Sequence, residues 1–174
     1  MSNCFDDEAR AAAGLTHPNI VAVHDRGEHD GVPFIVMERL PGNTLADVIA
    51  RGPMPPARVH ALLDEVLGAL TVAHRVGVLH RDIKPGNILF NADNEPKLVD
   101  FGLVCKAEAG VDYSAQIWGT PYYIAPEQIE DGPVDGRCDI YALGCTFYHM
   151  VTGVPPFHDE TNPVLILTKR LEED

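Results

Sequence analysis

An α+β fold, with a small strand-bearing part followed by a larger, mainly helical part, is predicted from the pattern of apolar residues. Two short β-branched runs, residues 20–23 and 33–37, indicate a pair of strands near the start of the chain. Two later stretches, 55–77 and 138–151, have the length and apolar spacing of helices. The crease between the two parts is expected at Leu40-Pro41-Gly42, because a Pro-Gly pair interrupts regular structure.

The strand-bearing part is expected to begin with a helix. Residues 5–15 read FDDEARAAAGL, rich in helix formers and with acids at the front, where they suit the positive end of a helix dipole. His17-Pro18-Asn19 then ends this helix. The polar, glycine-containing stretch 24–31 is expected to connect the two strands.

One short and one long helix are predicted at the start of the helical part. Asn43 is the predicted N-cap and Gly52 the predicted stop of a short helix over residues 44–51. A longer helix is predicted to start at Pro55-Pro56, since prolines are tolerated in a first turn, and to end at Gly77. Its apolar residues keep helical spacing: Val59, Leu62, Leu63, Val66, Leu67, Leu70 and Ala73.

Shorter elements and one last helix are predicted in the remainder. Residues 78–99 contain short apolar pieces around polar turns, which indicate two small strands flanking a loop. A long irregular segment is expected from residue 100 to about residue 126. The last helix is predicted over 138–151, capped by Asp135 and stopped by Gly153, and its apolar residues on most sides indicate burial.

Composition narrows the class of protein. The 174 residues suit one domain, and a 45% hydrophobic content is ordinary for a soluble globular protein. The formal net charge of -13 argues against a nucleic-acid or anionic-membrane surface as the main partner. With no bilayer-spanning apolar run and no signal-peptide pattern at its start, the segment is expected to be cytoplasmic. The four cysteines form no C-x-x-C pair and the eight histidines no H-E-x-x-H, so free thiols and no zinc site are expected.

Three motifs carry chemistry. Residues 80–87 read His-Arg-Asp-Ile-Lys-Pro-Gly-Asn, residues 100–102 read Asp-Phe-Gly, and residues 125–127 read Ala-Pro-Glu. In this order they resemble the catalytic loop, metal-binding turn and A-P-E motif of eukaryotic-like Ser/Thr protein kinases, and HPNIVAVHDRGE resembles bacterial members of that family. A triplet alone is a weak signal, whereas an octapeptide with both triplets in family order is specific. The resemblance implies the bilobal α+β fold of protein kinases.

The implied reaction is phosphoryl transfer to serine or threonine hydroxyls of a protein substrate, with ATP and Mg2+ as cofactors. Asp82 would be the base that accepts the hydroxyl proton. Asn87 and Asp100 resemble the two magnesium ligands, because oxygen donors suit a hard cation that bridges phosphates. Lys84 resembles the lysine that contacts the transferred phosphate in Ser/Thr kinases. Taken singly, each of these residues would be interpreted as an ordinary surface or turn residue.

A nucleotide-binding hinge is implied upstream of the catalytic loop. Met37 resembles the gatekeeper residue, and the Glu38 carbonyl and Leu40 amide resemble the backbone groups that bond adenine. Leu89 is assigned to the same nucleotide-binding set. Without the downstream motifs, the segment would be interpreted only as an apolar strand ending in a turn.

Supporting roles are implied for five further residues. Glu8 lies nine residues before His17, the spacing of the family's helix C glutamate, although an acid at a helix start explains it equally simply. His80 and Phe101 resemble two of the stacked apolar residues of the active state. Asp139 resembles the aspartate that ties down the catalytic-loop backbone, and Glu127 the A-P-E glutamate that pairs with an arginine.

Regulation is expected in the segment between Gly102 and Ala125. New phosphate charge there could pair with Arg81, beside the proposed base. The position four before Thr120, often a phosphorylated threonine in relatives, is Gln116 here. The candidate phosphorylation site is therefore Ser114, with Tyr113 as the less favoured alternative. Thr120 belongs to the Gly-Thr-Pro-Tyr run that favours the Ser/Thr class.

The resemblance covers the whole chain but about two-thirds of an ordinary catalytic domain. Kinases carry a glycine-rich loop and a V-A-I-K lysine before helix C, and the seven residues ahead of Glu8 contain neither. We therefore expect a partial bilobal fold, with residues 1–39 from the N-terminal lobe and 40–174 from the C-terminal lobe. The chain alone is expected to be inactive. A non-catalytic kinase-like module that binds partners stays an alternative, whereas Arg81, Lys84 and the A-P-E motif argue against a small-molecule phosphotransferase.

Overall fold

The strand-bearing part is an antiparallel hairpin. In the computed structural model, which describes residues 14–101, 121–129 and 133–172, strand β1 (Val23–His29) pairs with strand β2 (Val32–Met37). Val23 lies opposite Met37 and His29 opposite Val32. Asp30 and Gly31, between the strands, both have positive φ, as a two-residue turn matching the twist of a hairpin requires.

The predicted position of the first strand is wrong. The strand begins at Val23, and the polar stretch that we expected to be a connection forms most of it. Six of the seven β1 residues are exposed, so backbone pairing and turn geometry, rather than an apolar face, form this strand. Ile20 and Val21 are instead buried beside Leu98, whose carbonyl accepts a hydrogen bond from the Val21 N–H at 2.9 Å.

A second, smaller hairpin lies in the helical part. Strands β3 (Ile88–Phe90) and β4 (Pro96–Leu98) pair antiparallel, with Ile88 opposite Leu98 and Leu89 opposite Lys97. A 3-10 turn, Pro85–Asn87, leads directly into β3. The prediction of two small strands within 78–99 is confirmed.

The short helix α1 (Leu45–Ile49) is shorter than predicted and begins at a different cap. Thr44 is the N-cap: its hydroxyl accepts from the Asp47 N–H at 3.1 Å, while its own N–H donates to the Asp47 carboxylate at 2.9 Å. The prediction of Asn43 as the cap is wrong, since Thr44 makes the capping contacts; the Asn43 carbonyl instead accepts from the Phe90 N–H of β3. The last helical residue is Ile49, with Ala50 as the C-cap, so the helix ends ahead of the predicted stop at Gly52.

Helix α2 (Pro56–Arg75) agrees with its prediction at both ends, with proline in its first turn and a positive φ at Gly77. Most of the predicted apolar positions are buried, although Leu67 is exposed and Leu63 lies at the margin of the core. The buried residues are Val59, Leu62, Val66, Ala69, Leu70 and Ala73.

Three helices complete the described chain: α3 (Pro126–Ile129), α4 (Arg137–Thr152) and α5 (Pro163–Glu172). The predicted end of α4 at Gly153 is confirmed, with a left-handed cap. Gly136 occupies the N-cap position, one residue after the predicted cap, and makes no side-chain cap. The Asp135 carboxylate nevertheless accepts from the Arg137 N–H at 2.9 Å and so satisfies an N–H group of the first turn.

Helix α4 is buried on one side only, in contrast to the prediction. Asp139, Ala142, Leu143 and Met150 face the core. The apolar residues on its other side are exposed in the structure described, since no described helix or strand covers them: Ile140, Phe147, Tyr148 and Val151.

The core lies beneath the segment that carries the chemical motifs. Helix α2 contacts β4 and α4, and their shared interior contains Leu62, Leu70, Leu98 and Met150. Ile83 and Ile88, from the chemical segment itself, insert into the same cluster. That segment is therefore held by the largest body of buried apolar surface in the described chain.

Two expectations from composition concern thiols and membranes. Cys138 and Cys145 are free and buried, and burial raises the pKa of the Cys138 thiol to about 12. Cys4 and Cys105 lie outside the described residues. Within the described ranges, no helix combines the length and apolar character that crossing a bilayer requires.

Candidate active site

The loop 80–87 is anchored from below by Asp139, a fully buried carboxylate in the first turn of α4. Its oxygens accept hydrogen bonds from the backbone N–H groups of His80 at 2.9 Å and Arg81 at 2.7 Å. The side chain of His74, at the end of α2, contacts the same carboxylate through Nε2 at 2.8 Å. Arg81 has a φ of 66°, an unusual geometry for a non-glycine residue that these bonds hold in place.

His80 is a fully buried side chain that connects the loop to the turn after β4. Its Nε2 lies 2.9 Å from the Val99 carbonyl, and its Nδ1 accepts from the Asp82 N–H at 3.3 Å, so Nε2 carries the proton. Burial lowers the pKa of His80, although Asp139 and Asp82 act in the opposite direction, which favours this neutral form. The Phe101 ring packs on it with centroids 4.7 Å apart.

Asp82, Lys84 and Asn87 meet at one point. The Lys84 ammonium lies 2.6 Å from Asp82 Oδ2, and the Asn87 amide nitrogen donates to the same oxygen at 2.8 Å. Asn87 also donates to the Asp82 carbonyl at 2.9 Å, and this orients its amide group. The Asp82 side chain remains about one-third exposed, with a relative exposure of 35%. It is an oriented carboxylate that a solute can still reach.

Asn87 and Asp100 are placed at the same end of the β3–β4 hairpin. Asn87 precedes β3, and its carbonyl accepts from the N–H of Val99, the residue before Asp100, at 3.1 Å. Because the Asn87 amide nitrogen is used by Asp82, its Oδ1 is the atom oriented for a cation. Asp100 is exposed, with a φ of 62°.

This pair fits magnesium. Among the described residues, no group of three or more His, Cys, Asp or Glu is placed to hold a metal ion. An amide oxygen and a carboxylate are nevertheless the kind of sparse, hard donor set with which Mg2+ binds when substrate phosphates and water supply the remaining ligands.

The segment between β2 and α1 is held against both strands of the smaller hairpin. The Glu38 carboxylate accepts from the Lys97 ammonium of β4 at 2.7 Å and from the Ala22 N–H at 2.8 Å. Gly42 approaches β3 so closely that a Cβ there would lie 2.2 Å from the Phe90 carbonyl oxygen. These contacts fix the segment next to Leu89, which is half-buried in β3.

Two backbone groups of this segment are available to a ligand. In residues 14–101, 121–129 and 133–172, no backbone hydrogen bond uses the Glu38 carbonyl or the Leu40 N–H. Met37, the last residue of β2, is 37% exposed. The segment thus has the donor, the acceptor and the adjacent apolar side chains expected of an adenine hinge.

The Ala-Pro-Glu motif lies beside the same loop. Glu127 is half-buried in the first turn of α3. Gln128, its neighbour, accepts from the Ala125 N–H at 3.1 Å and donates through its amide nitrogen to the Arg81 carbonyl at 2.9 Å. The segment ahead of α3 is therefore joined to the residue that precedes Asp82.

The model of the protein kinase domain family matches residues 2–172 of this chain. The chain belongs to the protein kinase family. Serine/threonine-protein kinase PknL of Mycobacterium tuberculosis is 46% identical over 172 residues, and PknB of the same species is 42% identical over 178 residues. These matches confirm the prediction of a eukaryotic-like Ser/Thr kinase domain of bacterial type.

Solved structures support the fold. The Mycobacterium tuberculosis PknI kinase domain superimposes with a TM-score of 0.74 and 36% identity, covering 91% of this chain and 60% of the solved one. The prediction of a partial, kinase-like α+β fold is confirmed. Both matches extend over 98% of this chain, whereas the chain spans only 43% of the length of PknL and 28% of the length of PknB.

Three site predictions of this kinase domain fall outside the described residues: Glu8, Ser114 and Thr120. The remaining predicted residues lie in two groups, one around the loop 80–87 and one around the hinge, with Leu89 and the β3–β4 hairpin between them.

Four residues whose side chains hold segments around the site in place were not predicted: His74, Lys97, Gln128 and Arg170, which donates to the Ile124 carbonyl at 2.8 Å. Each acts through a partner far away in sequence, such as Lys97 with Glu38 across 59 positions and His74 with Asp139 across 65. Only Gln128 carried a signal that could have been used, because it directly follows the Ala-Pro-Glu motif.

Proposed function

We propose that this chain carries the catalytic and metal-binding part of an enzyme that transfers the γ-phosphate of ATP to serine or threonine hydroxyls of proteins. The observation that carries the proposal is the cluster of Asp82, Lys84 and Asn87. In it, the accessible Asp82 carboxylate is oriented by the Lys84 ammonium and by the Asn87 amide, whose oxygen is the proposed magnesium ligand. Residues 1–39 are proposed as part of the N-terminal lobe, and residues 40–174, which include this cluster, as part of the C-terminal lobe.

Asp82 is placed to act as the base. Asn87 and Lys84 hold Oδ2, so Oδ1 is left to accept the proton of the acceptor hydroxyl while the hydroxyl oxygen attacks the γ-phosphorus. The bond from that phosphorus to the bridging oxygen breaks, and ADP departs. Lys84 exchanges its contact with Asp82 for one with the transferred phosphate, whose developing negative charge it offsets.

Asn87 Oδ1 and the Asp100 carboxylate would hold Mg2+, which supplies charge neutralisation at the phosphates when bound. The adenine ring is placed by the Glu38 carbonyl and the Leu40 N–H, with Leu89 and Met37 as apolar neighbours. Arg81 and Ser114 are proposed as the regulatory pair, a phosphate on Ser114 being the expected partner of the guanidinium.

The proposal is tested with a chimera in which residues 1–174 replace the matching part of PknL, so that the relative supplies the flanking sequence. Asp82→Asn removes the base while retaining the size and hydrogen bonds of the side chain. We expect turnover on a basic protein substrate to fall by about a hundredfold or more, with the KM for ATP nearly unchanged.

Asp93→Asn is the matched control, because Asp93 is an exposed residue in the turn between β3 and β4. Its turnover should equal that of the unmodified chimera. Full turnover in Asp82→Asn would refute the assignment of the base. An unmodified chimera that binds Mg-ATP but transfers no phosphate would instead support a non-catalytic, partner-binding module.

A further inference from the structure

Arg170, on the last described helix α5, is a buried cation whose two terminal nitrogens each donate to a backbone carbonyl, while its Nε has no partner among the described residues. It is 4% exposed. Its Nη1 donates to the Ile124 carbonyl at 2.8 Å and to the Tyr141 hydroxyl at 3.1 Å, and its Nη2 donates to the Tyr122 carbonyl. The guanidinium also lies 5.4 Å from the Tyr141 ring centroid and 5.5 Å from that of Phe157.

No ion pair in the described ranges uses Arg170. Its charge is stabilised instead by two carbonyl dipoles and by two aromatic faces, which attract a cation through their quadrupoles. The planar guanidinium is rigid, so a fork that bonds two carbonyls at once fixes their relative position. Tyr122 and Ile124 are therefore tied to α5 and, through Tyr141, to α4.

The same backbone segment is joined to the catalytic loop by Gln128. The Ala125 N–H donates to Gln128 Oε1, and Gln128 Nε2 donates to the Arg81 carbonyl, next to Asp82. A continuous set of contacts thus runs from Arg170 through residues 122–125 and Gln128 to the residue before the proposed base.

We propose that Arg170 and Gln128 are positioning residues that set residues 121–128 as the support for the protein acceptor beside Asp82. This inference rests on the proposed function. A general base acts only on a hydroxyl within hydrogen-bond reach, so an acceptor chain must be held by backbone that has a fixed position relative to Asp82. Arg170 supplies that position without touching the acceptor, and the nucleotide side of the site, at the hinge and Leu89, is not part of this set of contacts.

The first test is hydrogen exchange of the 174-residue chain, which needs no catalysis. Arg170→Leu removes both carbonyl contacts, and amides in fragments covering 121–129 should exchange about tenfold faster or more, as expected of a local opening. Exchange in α2 (56–75) should be unchanged. Arg170→Lys should be intermediate, because an ammonium cannot reproduce the two-pronged contact.

Arg137→Leu is the control, since Arg137 is exposed on α4 and contacts Asp135. Exchange at 121–129 that is unchanged in Arg170→Leu, or raised equally in α2, would overturn the proposal. If the leucine variant does not fold, Arg170→Lys decides in the same way, by a rise confined to 121–129 or its absence.

The second test separates positioning from general support, using the PknL chimera. Arg170→Lys and Gln128→Ala should each raise the KM for the protein acceptor by roughly tenfold, with the KM for ATP within about twofold, since small displacements of a bound reactant are costly. Equal changes in both KM values, or a loss confined to kcat, would overturn the proposal. A chimera that transfers no phosphate would defeat the proposed function and, with it, the acceptor role; the exchange measurement would still decide whether Arg170 holds the segment.

Discussion

Asp139 accepts hydrogen bonds from two parts of the chain that are 58 and 65 positions away, the loop at His80 and Arg81 and the side chain of His74. At the residue scale, this single buried carboxylate determines the path of the loop that bears Asp82. It acts on the chemistry only through backbone geometry, because its oxygens face N–H groups and not the site.

Asp139→Asn is expected to destabilise the domain, because an amide can accept through only one oxygen and would turn an NH2 group toward another donor. We expect the free energy of unfolding to fall by about 1–3 kcal/mol, measured by urea denaturation. Asp135→Asn makes the same chemical change at an exposed site four residues earlier and should leave the free energy of unfolding nearly unchanged. Equal effects of the two substitutions would contradict the anchoring role.

Glu38 should make stability depend on acidic pH. Burial acts to raise its pKa, but the hydrogen bonds from Lys97 and from the Ala22 N–H, with the charge of Lys97, outweigh burial and lower it from 4.5. A carboxyl whose folded pKa is lowered stabilises the fold above its unfolded pKa and loses that contribution as the pH falls through the folded value.

Glu38→Gln should therefore lower the free energy of unfolding by about 1–2 kcal/mol at pH 7, and the difference from the unmodified chain should shrink below about pH 4.5. Glu28→Gln, at an exposed position in β1, is the control and should be neutral. A double-mutant cycle with Lys97→Met measures how much of the effect belongs to the pair. A difference that stays constant from pH 7 to pH 3 would rule out this explanation.

Among the helices and strands, the hinge segment is packed tightly against strand β3, next to the proposed nucleotide site. Gly42 lies against the Phe90 carbonyl, and the Asn43 carbonyl accepts from the Phe90 N–H at 3.0 Å. The backbone at Gly42 and Asn43 is therefore in direct contact with the strand that carries Leu89.

Gly42→Ala is expected to force this unit apart, because the added Cβ meets backbone rather than a flexible side chain. We expect a loss of about 1–3 kcal/mol in the free energy of unfolding. In the PknL chimera, binding of Mg-ATP, measured by calorimetry, should weaken at the same time. Gly144→Ala is the control: it has open space on α4 and should be neutral or stabilise the helix by about 0.5–1 kcal/mol. Unaltered nucleotide affinity in Gly42→Ala would disconnect the hinge contact from the site.

At the scale of the whole molecule, the described chain exposes apolar surface on both of its parts. On the hairpin these residues are Val32, Phe34 and Val36, and on α4 they include Ile140, Phe147 and Tyr148. The chain also contains the residues proposed for the base and the metal: Asp82, Asn87 and Asp100.

Residues 1–174 expressed alone are expected to transfer phosphate to protein far more slowly than the PknL chimera. Asp82, Asn87 and Asp100 position a hydroxyl and a cation, but the γ-phosphate also requires a covering loop and a lysine at its neighbours. The test measures transfer of labelled phosphate and binding of Mg-ATP, each for residues 1–174 alone and for the PknL chimera. Turnover by the chain equal to that of the chimera, abolished by Asp82→Asn, would show that these elements are dispensable.

The predictions from sequence that proved correct depended on residues that are adjacent in the chain. The octapeptide 80–87 indicated the family and the base, and proline and glycine marked the ends of α2, because these signals depend on local backbone preference. A weaker prediction failed because two neighbouring residues could both serve as a cap: Thr44, rather than Asn43, forms the capping box of α1.

The side chains that support the site through contacts with residues distant in sequence could be identified only from the tertiary structure. Arg170 reaches the Tyr122 carbonyl across 48 positions, Lys97 reaches Glu38 across 59, and Asn19 reaches the Pro96 carbonyl across 77. No short-range sequence pattern predicts these contacts, because each donor residue, considered alone, has the features of an ordinary polar side chain. The polar β1 strand followed the same rule. Its pairing with β2 depends on the partner strand and the turn, so hydrophobic alternation could not reveal it.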